Sequence, residues 1–244
     1  MTRTIVIGDV HGCYFELTAL LDEIGVRQDD RLVFVGDLIT KGPASREVLE
    51  FVRRRKNCES VLGNHEYLLL RHYRGEDVEL ESPHRDFIAE MGKDFGDLME
   101  WVSRLPPYLD LGDHLVVHAG IRPGRPLERQ TVEDLTQLRT LDGTDPGNRK
   151  GTPWFERYRG EKIIIFGHWV FDAPLLRDNA IGIDTGCVYG GRLTAVVLPA
   201  GHLVSVPALK AYAAKKRKDR LHVHENEDVW QAPVPRPPLY RRGD

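Results

Sequence analysis

The chain has 244 residues, a formal net charge of −3 and an apolar fraction of 41%. That length and apolar content allow one large domain or two small ones with a sizeable core. The charge excludes nucleic-acid binding through the overall field of the protein. The cysteines Cys13, Cys58 and Cys187 are spaced for neither a disulfide framework nor a zinc ribbon, and read as thiols in a reducing compartment. No apolar run reaches the roughly 20 residues that cross a bilayer. The opening Met1-Thr2-Arg3 lacks a signal peptide's apolar stretch, so a cytoplasmic location is expected.

In chain order, short runs rich in Val and Ile read as buried strands over residues 4–7, 32–35, 60–62, 115–117, 163–166 and 181–183, with a late pair over 193–198 and 203–206. Helices are expected between several of them. Tyr14, Leu17, Leu21 and Ile24 share one face, and Gly25 is placed as a C-cap. Ser45 is placed to cap a helix carrying Val48, Leu49 and Val52. Residues 64–73 read as helix, and so do 87–105, ended by Pro106-Pro107 despite Gly92 and Gly96. Strands that alternate with helices indicate a mixed α/β domain. It is expected to fill residues 1–210, with a helical cover over about 74–105. Residues 211–244 differ: Lys215, Lys216, Arg217, Lys218 and Arg220 form a basic run, and 232–238 holds four prolines. A loosely ordered tail is expected there. It reads as a solvated helix end plus linker, with an RNA or polyphosphate contact as the alternative.

One pattern recurs: an apolar run, a glycine, then a residue able to bind metal. It appears as Gly8-Asp9-Val10-His11-Gly12, Gly36-Asp37, Gly63-Asn64-His65-Glu66, Val117-His118-Ala119-Gly120 and Gly167-His168. Any one block alone reads as a turn, a core histidine or a helix start. Together, five strand ends converge on one crevice in an α/β sheet. Asp9 and His11 are spaced to reach one ion, a carboxylate such as Asp37 can bridge two, and Asn64, His118 and His168 offer neutral ligands to the second. Carboxylate, imidazole and amide together suit manganese, iron or cobalt, with zinc allowed. Two divalent ions about 3.5–4 Å apart activate water and clamp phosphoryl oxygens, so phosphoester or phosphoanhydride hydrolysis is expected. His65 is not needed as a ligand and is free to protonate the leaving oxygen as general acid.

The order Asp-x-His, Gly-Asp, Gly-Asn-His-Glu, His-Ala-Gly and Gly-His resembles the calcineurin-like metallophosphoesterases, in particular their phosphoprotein-phosphatase branch. The resemblance covers residues 4 to about 198. It implies a four-layer α/β fold, a mixed β-sandwich flanked by helices, with the two-metal site at one edge and Asp37 as the bridge. Protein serine/threonine phosphatases of this branch carry Asp-Arg-Gly shortly after the bridging acid. Here the segment is Asp37-Leu38-Ile39-Thr40-Lys41-Gly42-Pro43, with Thr40 for the acid that orients the catalytic histidine and Lys41 for the phosphate-binding arginine. That is similar to the symmetrical diadenosine tetraphosphatases, as are Gly182–Gly191 and Gly167-His168-Trp169. Arg139 falls near a second phosphate-binding position.

The resemblance therefore implies cleavage of diadenosine tetraphosphate symmetrically to two ADP, with manganese first among the metals. Alternatives are a serine/threonine protein phosphatase, a polyphosphate or capped-RNA pyrophosphohydrolase, and a binding scaffold without catalysis. Expected partners are a nucleotide or polyphosphate, and no membrane. Trp154, Tyr158, Trp169 and Tyr189 are read as base-stacking or packing residues, and Arg122 as a phosphate contact or a loop cap.

Overall fold

The structure is a computed structural model and describes residues 2–214, 230, 234 and 235. The basic run and most of the proline-rich segment lie outside these residues.

Two five-stranded sheets stack face to face. The first is built from β1 (Thr4–Ile7), β2 (Arg31–Phe34), β3 (Cys58–Ser60), β9 (Arg192–Leu198) and β10 (His202–Pro207), in the order β10-β9-β1-β2-β3. The second holds β4 (Tyr108–Asp110), β5 (His114–Val117), β6 (Ile163–Phe166), β7 (Leu175–Arg177) and β8 (Ala180–Gly182), in the order β4-β5-β6-β8-β7. Each sheet is mixed and has three adjacent parallel strands: β1, β2 and β3 in one, β5, β6 and β8 in the other.

Alternation along each strand divides its side chains between two environments. Val6, Val33 and Val35 meet Val116, Ile163 and Ile165 in the seam between the sheets. Their neighbours Ile5, Ile7, Leu32 and Phe34 face outward to a layer of helices. That layer comprises α1 (Tyr14–Ile24), α2 (Ser45–Arg54), α3 (Asn64–Tyr73), α4 (Ser82–Met91) and α5 (Phe95–Val102). On the second sheet, Leu115, Val117, Ile164 and Phe166 face an aromatic layer with Trp154, Phe155, Trp169 and Phe171. Two short helices, α6 (Val132–Gln137) and α7 (Trp154–Arg157), lie on that side. This is the mixed sandwich with flanking layers that the sequence led us to expect.

Local expectations met the structure unevenly. Gly25 closes α1 in the left-handed conformation, at φ 61°. Ser45 does not cap α2; Ala44 takes that place, and the Ser45 hydroxyl instead accepts the Thr40 N–H at 3.0 Å. The single helix expected over 87–105 is two. Gly92, at φ 52°, turns the chain after α4, and α5 starts three residues later. Among the described residues, no helix is long and apolar enough to cross a membrane.

Ile165 is fully buried in the seam. Ile165→Ala is expected to cost about 2–5 kcal/mol, read as a lower urea midpoint at unchanged slope. A cost below about 1 kcal/mol would mean that the sheets do not share this packing.

Candidate metal centre

The parallel strands of both sheets end at one edge, and their following residues converge. Asp9 follows β1, Asp37 follows β2 and Asn64 follows β3; His118 follows β5 and His168 follows β6. A sixth end, after β8, brings in Asp184, which the recurring pattern did not single out. The signal was present, since an acid directly follows the apolar run 181–183.

These turns are interlocked by backbone. The Asp37 carbonyl accepts from Val10 N at 3.2 Å and His11 N at 2.8 Å. His168 N donates to Asp9 Oδ2 at 3.1 Å, joining the two sheets at the site. Gly63 lies against Asp37, and a methyl group there would collide with Asp37 N and Glu66 Oε2. Glu66, fully buried, accepts from Asp37 N at 2.9 Å, Leu38 N at 2.8 Å and Ile39 N at 3.3 Å. Among the described residues, the non-glycine residues with positive φ are His11, Asp37, Thr40, Lys41 and His168. All belong to this site, where left-handed backbone is disfavoured and must be held by its surroundings.

The donor atoms fit divalent cations. His11 Nδ1 donates to Ile39 O at 3.0 Å and His118 Nδ1 to Val35 O at 2.7 Å. Each ring thereby turns its Nε2 lone pair inward, as histidine ligands do when a carbonyl fixes their tautomer. Asn64 Oδ1 stands 2.9 Å from His118 Nε2 and 2.8 Å from His168 Nδ1. Two ring nitrogens thus stand within 2.9 Å of one amide oxygen, a group of donor atoms that a cation could share. Asp37 reaches both groups: Oδ2 is 3.3 Å from His11 Nε2, and Oδ1 is 3.4 Å from His118 Nε2. Burial, then the Lys41 charge, holds the His11 ring neutral, down to about 3, so its contact with Asp37 is not an ion pair. Burial and the neighbouring Asp184 and Asp37 carboxylates push Asp9 well above the carboxylate range. Asp184 is pushed up chiefly by burial. Positive charge between these acids relieves both effects.

His65 lies beside this cluster, with Nε2 3.9 Å from Asp37 Oδ2 and Nδ1 2.9 Å from Thr40 Oγ1. Lys41 Nζ is 3.0 Å from His11 Nε2 and 5.5 Å from the centre of the Tyr189 ring. Arg139 donates to His168 O at 3.0 Å and lies 5.4 Å from the Trp169 ring. A cavity of about 550 Å³ opens in front, lined by Asp9, Lys41, His65, Arg139, Arg149 and Tyr189 among others. Of the four aromatic candidates, only Tyr189 lines it. Trp154 and Trp169 are buried, their indole N–H groups donating to Ala119 O and Leu138 O, and Tyr158 packs on Trp154. Arg122 pairs with buried Asp134 at 2.7 Å and caps a loop.

Because Asp37 touches both ligand groups, it should control metal loading. Manganese at a hundredfold excess over Kd is expected to raise the thermal midpoint by roughly 5–10 °C, and a chelator should reverse the gain. Asp37→Asn should lose most of it. A variant that keeps the full gain would exclude Asp37 as a shared ligand.

A model of the calcineurin-like phosphoesterase family matches residues 2–181. The chain is 35% identical over 237 residues to an asymmetrical bis(5'-nucleosyl)-tetraphosphatase, PrpE, from Geobacillus thermodenitrificans, with 86% of this chain and 96% of the relative covered. It is 30% identical over 263 residues to a symmetrical bis(5'-nucleosyl)-tetraphosphatase from Neisseria gonorrhoeae, with 83% and 94% covered. A crystal structure provisionally assigned as a diadenosine tetraphosphatase superimposes with a TM-score of 0.73 at 35% identity, covering 85% of this chain and 94% of the other. A serine/threonine phosphatase from Saccharomyces cerevisiae shares the fold at a TM-score of 0.58 and 16% identity, with 88% and 81% covered. The chain belongs to the calcineurin-like phosphoesterases.

Proposed function

We propose that this chain hydrolyses a phosphoanhydride bond of a dinucleoside tetraphosphate, with diadenosine tetraphosphate as the first substrate to test and manganese as the ion. Asp9, His11 and Asp37 would hold one ion, and Asp37, Asn64, His118 and His168 the other. Bound ions supply water of lowered pKa and offset charge on the phosphoryl oxygens. Lys41 and Arg139 add cations from two sides of the cavity. Lys41 is a point charge without the two-pronged geometry of arginine, which suits a phosphate chain with many equivalent oxygens.

The observation that carries the reading is the Thr40 hydroxyl 2.9 Å from His65 Nδ1. Where the resembling protein phosphatases have an acid, this chain has a neutral group. A hydroxyl donating to Nδ1 leaves the proton of a neutral ring on Nε2, facing the centre. It does nothing to stabilise an imidazolium. Such a ring is a good hydrogen-bond donor and a weak acid. A departing phosphate, whose second pKa is about 6, needs only a hydrogen bond. A departing serine alkoxide needs a proton. The site is therefore matched to an anhydride rather than to a phosphoserine ester.

The position of the cut has two readings. The more similar relative named above is asymmetrical, which favours release of ATP and AMP. Thr40-Lys41-Gly42-Pro43 and the Gly182–Gly191 segment favour the symmetrical cut to two ADP. Chromatography of the products from diadenosine tetraphosphate with manganese separates them: ADP alone means the symmetrical cut, ATP with AMP the asymmetrical one. Phosphopeptide turnover without nucleotide cleavage would sink both. Thr40→Asp, by restoring a charge behind His65, is expected to raise phosphopeptide turnover about tenfold relative to tetraphosphate turnover. An unchanged ratio would sink the leaving-group argument.

A further inference from the structure

The cavity does not end at His65. It continues toward α3 and α4, where Tyr67, Arg71, Pro83 and His84 line it. His84 comes from the first turn of α4, and the same helix is anchored by Phe87 and Met91 in the core. Its ring stacks on His65, with centroids 4.8 Å apart and planes 19° from parallel. It is 3% exposed, and although the Glu81 backbone approaches the ring, neither ring nitrogen makes a well-formed hydrogen bond among the described residues. Burying two polar atoms without partners is unfavourable. A phenyl ring would fill this space and stack on His65 without that penalty, so packing alone does not explain an imidazole here.

The order of groups shows what could meet it. Asp37 Oδ2 faces His65 and His11, while Oδ1 faces His118; His168 and Arg139 lie beyond His118. The rings thus run from Arg139 at one end, through the candidate metal ligands, to His65 and then His84. A phosphorus atom attacked over the ligands expels its leaving oxygen toward His65. Whatever is attached to that oxygen continues past His65 to His84. In a simple phosphomonoester this is an alcohol. In a dinucleoside tetraphosphate it is at least one further phosphate.

We propose that His84 is a leaving-group subsite, its ring N–H donating to a non-bridging oxygen of the phosphate chain that departs past His65. This rests on the tetraphosphatase reading and on His65 facing the leaving oxygen. Stacking holds the two rings nearly parallel and 4.8 Å apart, so successive phosphates of one chain would meet them in turn.

The test compares diadenosine tetraphosphate with p-nitrophenyl phosphate, which has no phosphate chain, in the manganese-loaded full chain. His84→Phe keeps the ring and removes the N–H. It is expected to lose about tenfold more kcat/KM on the tetraphosphate than on p-nitrophenyl phosphate, and His84→Gln, which restores a donor, should recover most of that difference. Equal losses on the two substrates, or none on either, would overturn the proposal and leave His84 as support for His65. If His84→Phe does not fold, His84→Ala reads the same ratio. If the parent turns over p-nitrophenyl phosphate but not the tetraphosphate, the functional reading fails by itself. The subsite is then read by inhibition with inorganic tripolyphosphate: a Ki about tenfold higher in the variant supports it, and an equal Ki overturns it.

Discussion

The geometry of the centre depends on one buried carboxylate that is not itself a candidate ligand. Glu66 accepts three consecutive backbone N–H groups, from Asp37, Leu38 and Ile39. That clamp holds Asp37 at φ 50°, a conformation that costs about 1–2 kcal/mol for an ordinary residue. Only in that turn does the Asp37 carboxylate address histidines on both sides while its carbonyl accepts from Val10 and His11. Burial and the Asp37 charge push Glu66 up to about 8, against the pull of backbone N–H groups that include those of Leu38 and Asp37. A buried acid kept beside another acid is unfavourable for folding alone. It is intelligible as the means of fixing the strained turn, because its two oxygens together accept all three N–H groups, which a single hydroxyl could not do.

The two sheets divide the chemistry between them. The first supplies Asp9, His11, Asp37 and Asn64; the second supplies His118, His168 and Asp184. Neither sheet alone makes a centre of this composition. The aliphatic seam of Val6, Val33, Val116 and Ile165 therefore sets the spacing of donor atoms as well as the stability of the sandwich. His168 N bonded to Asp9 is the polar continuation of that seam at the site edge.

Much of this was legible in the sequence because it is local. A short apolar run followed by glycine and a polar donor reports both a strand and what stands at its end, so β1, β2, β5 and β6 were found together with their candidate ligands, while β3 (Cys58–Ser60) lies two residues before the run expected over 60–62. Strands β4 and β7 went unseen: three-residue edge strands that include Asp110 and Arg177 carry no alternation to detect. The break at Gly92 depended on a left-handed turn that a helical apolar pattern on either side conceals. In the sequence Gly63 is one glycine among the turns of the recurring pattern. Its reason is steric, the approach of Asp37 and Glu66 from elsewhere in the chain.

His84 was illegible for a different reason. It follows no strand, belongs to no recurring block and sits 19 residues after His65 in a segment whose pattern reads only as helix. Its meaning comes from the register of α4 against α3, which a sequence does not display. The same holds for Thr40, whose identity was plain but whose consequence was not. The resemblance places Thr40 where relatives keep the orienting acid; the distance to His65 Nδ1 adds the contact itself, and the chemistry of the leaving group offers that substitution a purpose. A neutral donor at His65 is sufficient for a phosphate, and a phosphate has further oxygens to bind. On the tetraphosphatase reading proposed above, the neutral Thr40 behind His65 and the imidazole of His84 beside it would serve the same leaving group. A site built in this way would ask less acid strength of His65 while holding more of the group that leaves.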